Sequence, residues 1–171
     1  MPSCRSKGIL LLAWVALAMP ASELLAQSLL YEREFTMIGM QDNTLRMELT
    51  ESGELTIERP AFMTHSGRHE LAVQSSIYSE LGDQLAARYA DSRNLSSDIQ
   101  QRARQDMRYV SDPEISRFYR LDQQGRKLDH VSGISLEAWA DVYPDDQRLA
   151  SLRNLERQWY QLMQRALEDN R

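Results

Sequence analysis

His65-Ser66-Gly67-Arg68-His69-Glu70 is the nearest approach to a metal-binding spacing in this chain. On a helix, histidines four apart share a face and can grip one ion. Gly67 and the upstream Pro60 oppose a helix here. Fully extended, the two would stand roughly 13 Å apart at the strand rise, so only a tight turn at Ser66-Gly67 could bring both rings together. The expectation is two solvated loop imidazoles, with no metal and no cofactor. Asp129, His130 and Ser132 supply the side-chain types of a hydrolase triad. On a strand, however, His130 and Ser132 share one face and Asp129 takes the other. A nucleophile elbow would need glycines where His130 and Ile134 stand. No catalytic residue is therefore expected.

Carboxylates are plentiful, but acid–base work needs one of them in an apolar pocket with a raised pKa. Glu48, Glu54 and Glu58 all fall on the polar face of a hairpin, where they read as a wet surface that discourages edge pairing. The same face is the candidate acidic recognition patch. Trp139, Tyr143, Trp159 and Tyr160 crowd the C-terminal part. Trp159 lies on a leucine stripe and belongs to the core. Tyr160, one residue off that stripe, is the candidate for an exposed contact with a partner.

The elements that must position these residues can be read from periodicity. Leu45, Met47 and Leu49 alternate with polar residues, and after Glu51-Ser52-Gly53 the alternation resumes with Leu55 and Ile57. This is a β-hairpin with one dry face, its loop closed by glycine in a left-handed conformation. A strand is expected before it within residues 31–40, with Gln41-Asp42-Asn43 as the turn, and a short one after it near residues 69–73. Ser75 or Ser76 can cap a helix whose stripe holds Ile77, Tyr78, Leu81, Leu85, Ala86 and Tyr89; that stripe should pack on the hairpin. Residues 91–106 are strongly polar and read as a marginal helix or a long exposed connection. A second hairpin spans residues 115–131 around Asp122-Gln123-Gln124-Gly125, followed by a short helix over residues 136–142. A long helix opens near Pro144-Asp145-Asp146 and carries Leu149, Leu152, Leu155, Trp159, Leu162, Met163, Ala166 and Leu167. The fold class is α+β, with antiparallel hairpins and helices packed on one side, an order that two ββα units would produce.

In element order and apolar spacing, the hairpin over residues 44–59, the helix from Ser75, the hairpin from Arg117 to Gly125 and the closing helix resemble emfourin-like inhibitors of thermolysin-type metalloproteases. The resemblance implies an inhibitory or binding role, with an exported protease as partner. It transfers no functional residue.

Composition narrows the rest. Gly8 to Met19 carries no charge, lies behind Arg5 and Lys7, and is broken by Pro20 and Glu23. That is the pattern of a cleavable export signal over residues 1–26, cut after Ala26, and it falls short of the about 20 apolar residues a membrane anchor needs. Cys4, the only cysteine, precedes the apolar run, so neither a lipid anchor nor a thiol is expected in the mature chain, residues 27–171, read as one domain. The net charge of −5 becomes one unit more negative when Arg5, Lys7 and Glu23 leave, which disfavours nucleic acid and anionic lipid. The expectation is a periplasmic or secreted, non-catalytic protein that binds another protein. A pocket holding two or more carboxylates or histidines would instead mark an enzyme or metal-binding protein, and a stable assembly with envelope components would mark a structural factor.

Overall fold

The computed structural model describes residues 27–36, 42–111 and 113–169. The expected export signal at residues 1–26, the far end of the first expected strand at residues 37–40, and Gln41 of its expected turn lie outside them. Among the described residues, six strands form one antiparallel sheet: β1 (Ser28–Glu34), β2 (Thr44–Thr50), β3 (Glu54–Arg59), β4 (Gly67–Ala72), β5 (Ile115–Leu121) and β6 (Lys127–Ile134), in the order β4-β3-β2-β1-β5-β6. The helices are α1 (Ser76–Ser92), α2 (Leu95–Gln105), α3 (Leu136–Val142) and α4 (Gln147–Asp169). Both expected hairpins form. They flank β1, which pairs with β2 on one side and β5 on the other. The second half keeps the strand-strand-helix order; β1 and β4 enlarge the first half, and β1 joins the two into a single sheet.

Register explains the division into faces. Leu29 and Tyr31 stand opposite Leu49 and Met47 in β2, and Tyr31 stands opposite Phe118 in β5. Residues directly opposite share a face, so these side chains, with Leu55, Ile57 and Val131, build one dry surface. Onto it α4 lays Leu149, Leu152, Leu155, Trp159, Leu162 and Met163, all buried in the same core. Trp159 stacks on Tyr31 at 5.8 Å between centroids, and Tyr31 stacks on Phe118 at 5.0 Å. The opposite face is laced with charge pairs: Arg117–Glu34 at 2.9 Å, Arg68–Glu58 at 3.5 Å and Lys127–Glu32 at 3.7 Å.

Two expectations are corrected, and the choice left open over residues 91–106 is decided. The first strand begins at Ser28, ahead of the aromatic run that suggested it, because Ser28 to Tyr31 all become buried. Residues 95–105 form a true helix, for Leu95, Ile99 and Ala103, spaced four apart, reach the core despite their polar neighbours. Helix α1 packs chiefly on α4, β6, β1 and β5 rather than on the β2–β3 hairpin; its Leu81 and Leu85 are buried, while Ala86 faces outward. Among the described residues, no helix is long and apolar enough to cross a membrane.

Candidate functional site

Alternation along β1 places Arg33 in line with Leu29 and Tyr31 on the dry face, and the α4 stripe places Glu156 between Leu152 and Trp159. Opposite charges are thus carried into the interior from elements more than a hundred residues apart. Glu156 is only 5 % exposed. Its Oε1 accepts hydrogen bonds from the Tyr31 hydroxyl at 3.0 Å and from the Ser116 hydroxyl, and lies 3.6 Å from Nη1 of Arg33. Arg33 also donates to the Tyr160 hydroxyl at 3.0 Å and pairs with Glu114. Its guanidinium carbon sits 5.2 Å from the ring centroids of both Phe35 and Tyr160. A buried carboxylate persists as a charge only with such partners.

Burial, followed by the Glu156 carboxylate, pushes the Tyr31 hydroxyl well above the ordinary tyrosine value of 10.0. Burial also raises Tyr160, against the pull of Arg33. Both groups hold their protons more tightly folded than unfolded. Their contribution to stability is therefore complete below the unfolded value and lost as pH climbs toward the folded one. Urea unfolding at pH 8 and at pH 11 should show a drop approaching about 1.4 kcal/mol per pH unit for each tyrosine above pH ~10. Tyr31→Phe should flatten that slope; an unchanged slope would place the titration elsewhere.

Beside this network opens a recess of about 180 Å³ lined by Arg33, Glu114, Ser116, Ser135, Glu137 and Glu156. Ser135, the residue before α3, adopts a left-handed backbone at φ 46° and ψ 51°. It is clamped to the start of β5, donating its amide to the Glu114 carbonyl at 2.8 Å while its hydroxyl accepts the Glu114 amide at 3.3 Å. A non-glycine residue held there stores backbone strain, a feature that gathers at functional sites.

The segment joining α2 to β5 runs along α3 from its far end toward this recess. It starts with a Schellman cap: Arg108 donates to the Ala103 carbonyl at 2.9 Å and Met107 to Arg104 at 3.4 Å. The left-handed position, usually glycine, is Met107 at φ 51°. Tyr143 at the end of α3 donates to Asp106 at 2.9 Å and lies 4.0 Å beneath the Arg102 guanidinium. From this anchored base Met107 and Tyr109 project 80 % and 91 % exposed, with Val142 of α3 a further exposed apolar residue nearby. Val110, between them and the recess, packs back onto the core.

The residues singled out from sequence are placed as follows. His69 turns back, its Nε2 2.9 Å from the His65 carbonyl oxygen, and His65 has a left-handed backbone. Among the described residues, no three His, Cys, Asp or Glu side chains are grouped to hold a metal ion. On β6, His130 and Ser132 stand opposite Tyr119 and Arg117, and Asp129 occupies the alternate register position opposite Arg120; the His130 ring stacks on Tyr119 at 5.9 Å. Glu48 accepts from Ser28 at 2.8 Å and lies 3.5 Å from Arg46, while Glu58 meets Arg68. The polar hairpin face is thus of mixed charge, which corrects the acidic-patch reading. Trp159 is core, as its place on the stripe requires. Tyr160 is half-buried and bonded to Arg33, not an exposed contact, because Arg33 enters from β1 and draws the hydroxyl inward.

No protein-family model and no curated protein matches this chain.

Proposed function

We propose that this chain is an exported, non-catalytic protein-binding module, and that it binds through residues 106–111 and the adjoining end of α3. The supporting observation is the pair Met107 and Tyr109, large apolar side chains 80 % and 91 % exposed on a segment whose base is fixed by a helix cap and by Tyr143. Exposed aromatic and methionine side chains on a rigid base are the composition of binding hot spots, since little ordering entropy is lost on docking. The resemblance to protease inhibitors adds a class of partner, an exported protease, and periplasmic or secreted placement follows from the export signal.

The test is co-purification of the tagged chain, expressed as its precursor in the host, against a Met107→Gly, Tyr109→Ser variant. Glycine suits the left-handed cap position, so this variant should fold at least as stably as the parent, gaining about 0.5–1 kcal/mol there. A stoichiometric partner lost in the variant supports the proposal. A partner retained by the variant, or none above background with the parent, contradicts it.

The recess favours a second reading, an enzyme or small-ligand protein, because Glu114, Glu137 and Glu156 all line it. Each of these carboxylates already has an arginine partner, Arg33 for Glu114 and Glu156 and Arg157 for Glu137. None is left as an uncommitted base, which weighs for binding over catalysis.

A further inference from the structure

We infer that the edge strand β4 pairs with β4 of a second copy of this chain, in a two-fold symmetric dimer. The inference goes beyond the partner-binding role proposed above and uses a different part of the molecule. An edge strand presents backbone donors and acceptors that another strand can take up. The two edges of this sheet, β4 and β6, handle that exposure differently. On β6 the pairing with β5 shifts register between Arg120 and Leu121, and α2 packs alongside, its Ser96 hydroxyl donating to the Ser132 carbonyl at 3.2 Å. Strand β4 pairs with β3 in unbroken register from Gly67 to Ala72 and contains no proline. Its Arg68 and Glu70 side chains are 60 % and 70 % exposed, so both can reach across the edge.

Backbone direction and charge together select one arrangement. The Val73 amide donates to the Gly53 carbonyl at 2.8 Å, so Val73 turns toward β3. Successive residues of an antiparallel strand direct their hydrogen-bonding groups to opposite sides. Leu71, His69 and Gly67 therefore also bond toward β3, and Ala72, Glu70 and Arg68 turn their amides and carbonyls outward. A two-fold contact through those outward groups admits few registers. With His69 on the axis, Arg68 of each copy stands opposite Glu70 of the other. The next registers to either side set Arg68 against Arg68 or Glu70 against Glu70, and like charges directly opposite are destabilising. In the favoured register Leu71 lies opposite Gly67 of the second copy, a position where even an added Cβ would meet nothing within 4 Å in its own chain. Arg68 already meets Glu70 at 2.9 Å and Glu58 at 3.5 Å within one chain. The crossed pairs thus choose the register, while the backbone bonds supply the association. One strand from each copy makes a small interface, for which a Kd of about 100 µM is expected. Because α2 packs on the β6 side of the sheet, pairing through β4 leaves residues 106–111 of both copies uncovered.

Sedimentation equilibrium of the chain recovered after export, from about 10 µM to about 1 mM, reads the dimer directly. Arg68→Glu alone, or Glu70→Arg alone, sets like charges opposite each other twice and should weaken self-association about tenfold. An equimolar mixture of the two single variants restores both attractions and should associate as tightly as the parent. The double swap Arg68→Glu, Glu70→Arg should do the same on its own, so the test stands even where one single variant folds poorly. Amide hydrogen exchange locates the seam: the Arg68 and Glu70 amides should slow as the concentration is raised, while the His69 amide, already bonded toward β3, should change little. A monomer throughout the concentration range, single variants that associate as the parent does, or a mixture no tighter than its components would overturn the inference. Co-purification of a partner by a chain that stays monomeric would leave the protein-binding proposal intact and defeat only the dimer.

Discussion

Replacing Arg33 with methionine is expected to lower the unfolding free energy by about 3–5 kcal/mol, the cost of leaving a buried charge without its partner. Arg33 is the only arginine within 4.0 Å of the Glu156 carboxylate among the described residues, and it ties Glu114 and Tyr160 into the same cluster. With the guanidinium gone, Glu156 would stay at 5 % exposure beside Tyr31 and Ser116, two neutral donors that cannot offset its desolvation. The pair itself is not expected to be the source of net stability, because hydrophobic replacement of a whole buried ion pair is often close to neutral. The double variant Arg33→Met, Glu156→Leu should therefore recover most of the single variant's loss. Urea denaturation of the parent, the two single variants and the double variant closes the cycle. A single-variant loss under about 1 kcal/mol would mean that the cluster behaves as a wet surface pair.

Gly53→Ala should be nearly as damaging, for a different reason. Gly53 closes the β2–β3 turn at φ 89°, and a Cβ built there would stand 2.4 Å from the backbone carbonyl oxygen of Val73. That carbonyl cannot swing away cheaply, since the Val73 amide donates to the Gly53 carbonyl at 2.8 Å and locks the two segments together. The left-handed backbone alone costs an alanine about 1–2 kcal/mol, and the clash should bring the total to about 3 kcal/mol. Gly125 provides the control: its φ is 72°, and nothing lies within 4 Å of the point where an added Cβ would stand. Gly125→Ala should show the backbone penalty without the clash. Thermal melts of both variants measure the difference; equal losses would show that Val73 yields.

The two turns also show what sequence can and cannot reveal. Alternation of Leu45, Met47, Leu49, Leu55 and Ile57 locates a hairpin and its dry face because strand geometry repeats every two residues. Glycine at the loop's third place fixes the left-handed residue before any contact is known. The approach of Val73 to Gly53 comes from a strand that arrives later in the chain, and no local pattern carries it. Helix α2 is ambiguous in sequence for a related reason: three buried residues, Leu95, Ile99 and Ala103, suffice once a core exists to receive them, but they barely register against eight polar neighbours.

The candidate site is hidden differently. Arg33 and Glu156 each violate a local pattern, a cation on the dry alternation of β1 and an anion on the leucine stripe of α4. Either one alone reads as a single exception to an apolar pattern, Arg33 next to the end of β1 and Glu156 in the middle of α4. Taken as opposite charges on two inward faces, they form the signal by which sequence could point to the cluster. Met107 offers no such signal, for only the geometry of the helix cap reveals that a methionine stands where glycine is usual.

Calorimetric titration of the co-purified partner into the parent chain and into Tyr109→Ala tests the binding account most directly. Loss of an exposed aromatic anchor should weaken the complex by about 2 kcal/mol, roughly thirtyfold in Kd, with the melting temperature of the free chain unchanged. Equal affinities for the two proteins would contradict the assignment of residues 106–111 as the surface through which this protein acts.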